Sequence, residues 1–216
     1  MIRYTKEEER WNVGTHAVGI VFGVVVGVLF LLWCIRAADG WATAGIILYL
    51  IGMIGSYVTS TLYHALPQTW PARAVLRRWD HAAIYWHIAG SYSPVTLVAL
   101  RDAGWWGWGL FLFVWGAALA GTFASFRGLK DHSHLETVCF VLMGLSVLVA
   151  FRPLLQCVDL IAVNWLIAEG IFYVTGAVVY AVSHNRPFVH TIFHFFVLAG
   201  SVCHVICVWR VLAQNL

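Results

Sequence analysis

The chain has 216 residues, of which 61% are hydrophobic and 11% charged, with a formal net charge of +3. A soluble domain carries roughly 25% charged residues, so this composition cannot coat a globular surface; a water-soluble fold, a disordered chain and a disulfide scaffold are excluded. Seven spans of about 20 residues use about 140 residues, which leaves room only for short loops. The expectation is all-α: a polytopic membrane protein, one seven-transmembrane helix bundle over residues 1–216. The lipid bilayer is then its immediate partner, and the absence of any Lys/Arg-rich tract argues against nucleic acid as another.

In chain order, Glu7, Glu8 and Glu9 precede an apolar run from Val13 to Ile35. That run is too long for a signal-peptide core and lacks a basic leader, so it is expected to remain in the mature protein. Apolar runs predict spans near 13–35, 41–65, 82–100, 105–126, 135–155, 158–183 and 190–213, with Arg152, Pro153 and Asp159 breaking the run between the fifth and sixth. Backbone groups in lipid must be satisfied within their own segment, so these spans are helices. Trp11, Trp33, Trp41, Trp70, Trp79, Trp105, Trp106 and Trp209 fall where interfacial belts are expected. The five cysteines are an odd number without a C-x-x-C pair and read as free apolar filler.

Loop charge sets the expected orientation. One side holds Arg3, Lys6, Arg10, Arg73, Arg77, Arg78, Arg127, Lys130 and Arg186; the other holds Arg36, Arg101, Arg152 and Arg210. Positive charge marks the cytoplasm, so the N-terminus is expected inside, the C-terminus outside, and the protein in a bacterial inner membrane. With this orientation His64 closes span two, and His190 and His194 open span seven, all at the cytoplasmic face. Asp80 and His81 open span three there, and Asn12 and His16 open span one.

His190 and His194 are four residues apart, one helical turn on one face, a spacing that can grip a metal ion; two interfacial histidines bonded to head groups are the alternative. A third histidine at matching depth favours the metal. Three imidazoles leave a fourth position open, as catalytic zinc sites do, although three imidazoles also suit other divalent ions. Ser60 lies one turn deeper than His64 and could assist a developing oxyanion, or simply pack between helices. Asp80 could orient an imidazole or accept a proton; the alternatives are a salt bridge to Arg77 or Arg78, or a helix cap. Glu169 and His204 lie deeper, His204 about 15 Å beyond His194, as a cavity wall or a mutual pair. His16 and His87 could approach the site, whereas His132, His134 and His184 read as loop residues. Gly19, Gly23 and Gly27 in span one, and Gly116 and Gly121 in span four, read as close-packing faces.

Glu9-x-x-Asn12-x-x-Thr15-His16, Ser60-x-x-x-His64, Arg77-Arg78-Trp79-Asp80-His81 and His190-x-x-x-His194 resemble the hemolysin III family, bacterial relatives of the progestin and adipoQ receptors. Ala168-Glu169-Gly170-x-x-Tyr173 and Val197-Leu198-Ala199-Gly200-Ser201 extend the resemblance over the whole chain. The resemblance implies seven helices with an intracellular N-terminus and a zinc site of His64, His190 and His194, with Ser60 and Asp80 beside it. It also places the chain in a superfamily that takes in alkaline ceramidases, which implies a zinc-dependent hydrolase acting on a membrane lipid amide or ester. A non-enzymatic regulator of membrane homeostasis with structural or sensory zinc is the second expectation, and a pore-forming cytolysin the third. The strongly apolar spans argue against a conducting lumen, and the single-helix histidine pair suits one small ion better than haem.

Overall fold

Thr5 opens the first helix through a capping box: its hydroxyl accepts from the Glu8 amide at 3.2 Å, and the Glu8 carboxylate accepts from the Thr5 amide at 2.8 Å. The helix it starts, α1, runs Lys6–Arg36. The computed structural model describes residues 4–127, 134–183 and 186–216, so Arg3, Lys130, His132 and His184 lie outside the described residues. Helix α2 (Gly40–Ala65) is capped by Asp39, which accepts from the Ala42 amide at 2.8 Å. Helix α3 (Ala72–Pro94) continues into a π-helical turn, Val95–Ala99. Gly104, at φ +67°, adopts the left-handed conformation that admits the start of α4 (Trp105–Phe126). Then α5 (His134–Leu145), a 3₁₀ turn (Ser146–Ala150) and α6 (Phe151–Cys157) follow without a gap.

Pro153 sits in the first turn of α6, where its missing N–H costs nothing, so the chain breaks later, at the extended residue Val158. Asp159 caps α7 (Leu160–Ala181) by accepting from the Ala162 amide at 2.7 Å, and it pairs with Arg210 of α8 (Val189–Asn215). The Arg210 hydrogen bonds hold the Asp159 carboxyl, which precedes the span, below its ordinary range. His134, expected in a loop, is the first residue of α5.

Among the described residues there is no strand, and α1, α2, α4, α5 with α6, α7 and α8 are six segments long and apolar enough to cross a membrane. This is a multi-pass helical membrane protein. Helix α3 is not one of the six. It begins ten residues before the expected 82–100, and its first three turns hold Arg73, Arg77, Arg78, Asp80 and His81. Asp80 is therefore inside the helix and caps nothing. The low hydropathy of α3 comes from those charged turns, which are exposed or half-buried apart from Arg73, whereas from Ala82 onward the helix is largely buried against its neighbours, chiefly α2 and α4. The buried hydroxyls of its Ser91 and Ser93, and of Thr96 in the π-helical turn, donate to carbonyls of the preceding turn.

Glycines set how close the helices come. A Cβ on Gly52 of α2 would lie 2.3 Å from the Trp86 carbonyl oxygen of α3, and one on Gly90 2.9 Å from the Leu48 carbonyl. Gly19, Gly23 and Gly27 let α1 rest on Tyr57, Met53 and Leu50 of α2, and Gly121 receives the Tyr85 ring. Gly116 departs from expectation, since a Cβ there meets nothing within 4 Å. Gly52→Ala should therefore lower stability by about 1–3 kcal/mol, because the obstacle is backbone and cannot rotate away, while Gly116→Ala should change it by less than about 0.5 kcal/mol. Thermal unfolding of the solubilised variants checks the pair.

A candidate three-histidine metal centre

Polar side chains of α1, α2 and α8 meet at the end of the bundle where α1 begins. His64 comes from the last turn of α2, and His190 and His194 come from the first two turns of α8. All three are buried, at 2%, 8% and 1% exposure. Their Nε2 atoms face one another, His64 to His190 at 3.3 Å and His194 to His190 at 3.1 Å. One ligand atom from each lies within 4.8 Å of the others, which makes this a cluster that can hold a metal ion.

The opposite edge of two rings decides what those Nε2 atoms are. His64 Nδ1 donates to Glu9 Oε2 at 2.7 Å. The Thr15 hydroxyl donates to the Trp11 and Asn12 carbonyls, so its oxygen accepts from His194 Nδ1 at 3.3 Å. In neutral imidazole one nitrogen carries the proton and the other a lone pair, so both rings present bare Nε2 atoms to the centre. His190 Nδ1 is buried without a partner among the described residues. His190 Nε2 is within hydrogen-bond distance of both, and a single proton there can serve the two lone pairs only as a shared bond, whereas a cation between the rings is held by all three. A tetrahedral ion with bonds of roughly 2.0–2.1 Å holds its ligand nitrogens about 3.3 Å apart, which is the spacing found. The residues therefore fit a metal.

Glu9 is itself held. Its second oxygen accepts from Arg73 and, at 3.3 Å, from Gln68, while Arg73 also donates to the Leu66 carbonyl and lies over the Tyr63 ring at 4.6 Å. This carboxylate–imidazole arrangement fixes a ligand's tautomer and orientation. Asn12, fully buried, lies 3.4 Å from His64 Nδ1 and accepts from Thr191 at 2.6 Å, joining α1 to α8. His16 stacks on His194 at 3.8 Å between centroids. Tyr4 stacks on His190 at 5.0 Å, its carbonyl accepting from Gln68 at 2.7 Å.

The other expected residues are placed as follows. Ser60 is buried one turn below His64, and the Asp80 carboxylate faces Ser60, His81 and Arg77. His81 Nδ1 pairs with Glu136 at 2.7 Å rather than with the cluster, tying α3 to α5. Glu169 and His204 pair with each other at 2.7 Å in the middle of α7 and α8, and His87 lies with Tyr173 and Ser201, away from the three histidines. Glu9, Thr15 and Arg73 were not singled out for the site by the sequence reading. The available signal was the three-residue spacing of Glu9, Asn12 and Thr15, which puts one polar stripe on the first turns of α1.

His64→Ala and His194→Ala should each abolish metal binding, whereas Glu9→Gln should weaken it about 10–100-fold, the usual effect of removing a partner that orients a ligand. Elemental analysis and competition with a chelator measure both effects, and an unchanged metal content in His64→Ala would rule the cluster out.

Comparison with known proteins came to the same region of sequence space. The profile of a family described as "Haemolysin-III related" matches residues 4–205. The chain is 31% identical to "Hemolysin-3" of Bacillus cereus over 96% of its own length and 93% of that protein. It is 30% identical to the "Hemolysin-3 homolog" of Bacillus subtilis (strain 168), covering 95% and 94%. It is also 26% identical to the human "Monocyte to macrophage differentiation factor", covering 96% and 86%.

Proposed function

The chain belongs to the haemolysin-III-related family, and on that footing we propose that it is a zinc-dependent hydrolase of a membrane lipid amide or ester. The observation that carries this reading is the convergence of three imidazoles at one end of the bundle, those of His64 and His194 with bare Nε2 atoms, together with Ser60 and Asp80 on the neighbouring turns of α2 and α3. His64, His190 and His194 would hold the zinc, which when bound supplies a Lewis acid that polarises a carbonyl and activates water. Glu9 and Thr15 keep two of the ligand rings oriented. Asp80 accepts the proton released as water attacks, and the Ser60 hydroxyl donates to the oxygen on which charge develops.

The same reading makes α3 a seventh span, with the N-terminus cytoplasmic and the C-terminus outside in a bacterial inner membrane. Its charged first turns then lie at the head-group level, where water and the neighbouring helices receive them. The amide or ester of a lipid lies at that depth as well. One observation supports a second reading, zinc as a structural or sensory ion in a non-enzymatic regulator: the Tyr4 ring covers His190, and all three histidines are buried.

Asp80→Asn should keep zinc and lower turnover about 10²–10⁴-fold, the range for a general acid or base. Ser60→Ala should lower it about 10²–10³-fold. The assay is a panel of N-acyl and O-acyl lipids in mixed micelles, and a zinc-loaded wild type that turns over none of them supports the regulator. Tags at the two termini should be accessible from opposite sides of sealed vesicles; same-side access would sink the seven-span arrangement.

A further inference from the structure

A second cluster of ionisable side chains lies in the middle of the bundle, outside the metal centre. Glu169 of α7 and His204 of α8 are 6% and 2% exposed, with Oε2 and Nδ1 2.7 Å apart. The other nitrogen, His204 Nε2, is buried with no partner among the described residues. So is the hydroxyl of Tyr49, whose ring centroid lies 5.0 Å from that of His204. A carboxylate and an imidazole at the centre of membrane helices mark function by default, because desolvation makes them costly.

The surroundings of the pair differ at its two ends. Towards the metal centre, polar groups follow turn by turn. Tyr57 donates to Ser201 at 2.7 Å, Tyr173 lies 3.1 Å from Ser201, and His87 Nε2 lies 3.4 Å from Tyr173. The Tyr57 ring meets His16 edge-on at 5.2 Å, and His16 stacks on His194. Towards the other end, one turn past His204, the core is apolar: Cys207, Val208, Val211 and Leu212 pack with Phe30 and Ile46. Among the described residues, the titratable groups within reach of the pair's charge are Tyr49 of α2, His87 and Tyr92 of α3, Tyr173 of α7, and Cys203 and Cys207 of α8, with no Lys, Arg or Asp.

We propose that Glu169 and His204 form a buried proton-binding centre, loaded from the three-histidine end and sealed from the opposite end. With carboxylate and neutral imidazole the pair carries one uncompensated negative charge in a low-dielectric interior, the state burial disfavours most. One added proton makes it neutral, as carboxylate with imidazolium or as carboxylic acid with imidazole. A single N–H or O–H bond forms as one O–H bond of a hydronium ion in the solution beyond the three-histidine end breaks, water is left there, and nothing is oxidised or reduced. The centre does not depend on whether a metal is bound or any lipid is hydrolysed.

The test is infrared difference spectroscopy of the metal-loaded protein in sealed, uniformly oriented vesicles. The carboxylic-acid, carboxylate and imidazole bands of the pair are assigned by Glu169→Gln and His204→Gln, or by labelled Glu and His in the wild type if those variants do not fold. A jump from neutral to acidic pH should change these bands when applied on the three-histidine side. Applied on the opposite side, it should act at least about tenfold more slowly, in keeping with a barrier of about 1.4 kcal/mol or more. Bands that respond to neither jump would make the pair a static ion pair, and equal rates from both sides would overturn the one-sided access.

Discussion

Glu9 divides its carboxylate between Arg73 and His64, and the metal centre depends on that division. Given only to Arg73, it would leave the His64 tautomer undetermined; given only to the imidazole, it would leave Arg73 as a largely uncompensated buried cation, among the more costly states in a folded protein. The arrangement reaches back into local structure. The capping box at Thr5 starts α1 so that Glu9 points into the bundle. Gly19, Gly23 and Gly27 then let α1 lie close enough to α2 for a short side chain to reach His64. A helix start, a glycine stripe and a ligand's protonation thus form one chain of cause.

Solvation explains the layering of the interior. In hydrocarbon no water rescues an unpaired polar group, so polar residues must be gathered where they satisfy one another. Here they form the three-histidine end, with Glu9, Asn12, Thr15 and Arg73, and a middle layer of Tyr57, His87, Tyr173 and Ser201 above the Glu169–His204 pair. The far end is apolar, around Phe30, Ile46, Val208 and Leu212. Such grading along the bundle gives its two ends different chemistry and confines the candidate site to one of them.

Helix α3 shows the same logic from the other side. A helix is apolar where lipid surrounds it, and α3 has four helices as neighbours. It can therefore carry Ser91 and Ser93 in its core-facing turns, with Thr96 in the π-helical turn beyond, and bring Asp80 and His81 to the site end. Its charges are confined to the turns before Ala82, and from there on its neighbours enclose it. The same neighbours explain the tight approaches at Gly52 and Gly90, which α3 needs in order to be enclosed.

The sequence by itself determined the class of molecule, the approximate limits of its apolar helices and the depth at which polar residues lie, because composition and the 1.5 Å rise of a helix are local quantities. Depth was enough to bring His64 to the level of His190 and His194. It also grouped Glu169 with His204, although only as one of two alternatives. Which residue faces which was decided by tertiary structure. Helical periodicity gives a residue's face and height but not the neighbour that face meets, so Glu9 and Thr15 could be seen as a polar stripe and not as the partners of two imidazoles. The Glu136 partner of His81 was hidden for the same reason: depth placed His81 near the site end, and only packing showed α5 beside it. Asp80 was taken as the start of a span because charge normally marks a boundary in lipid, whereas the helix itself begins eight residues earlier, at Ala72, with its charged turns exposed or half-buried apart from Arg73.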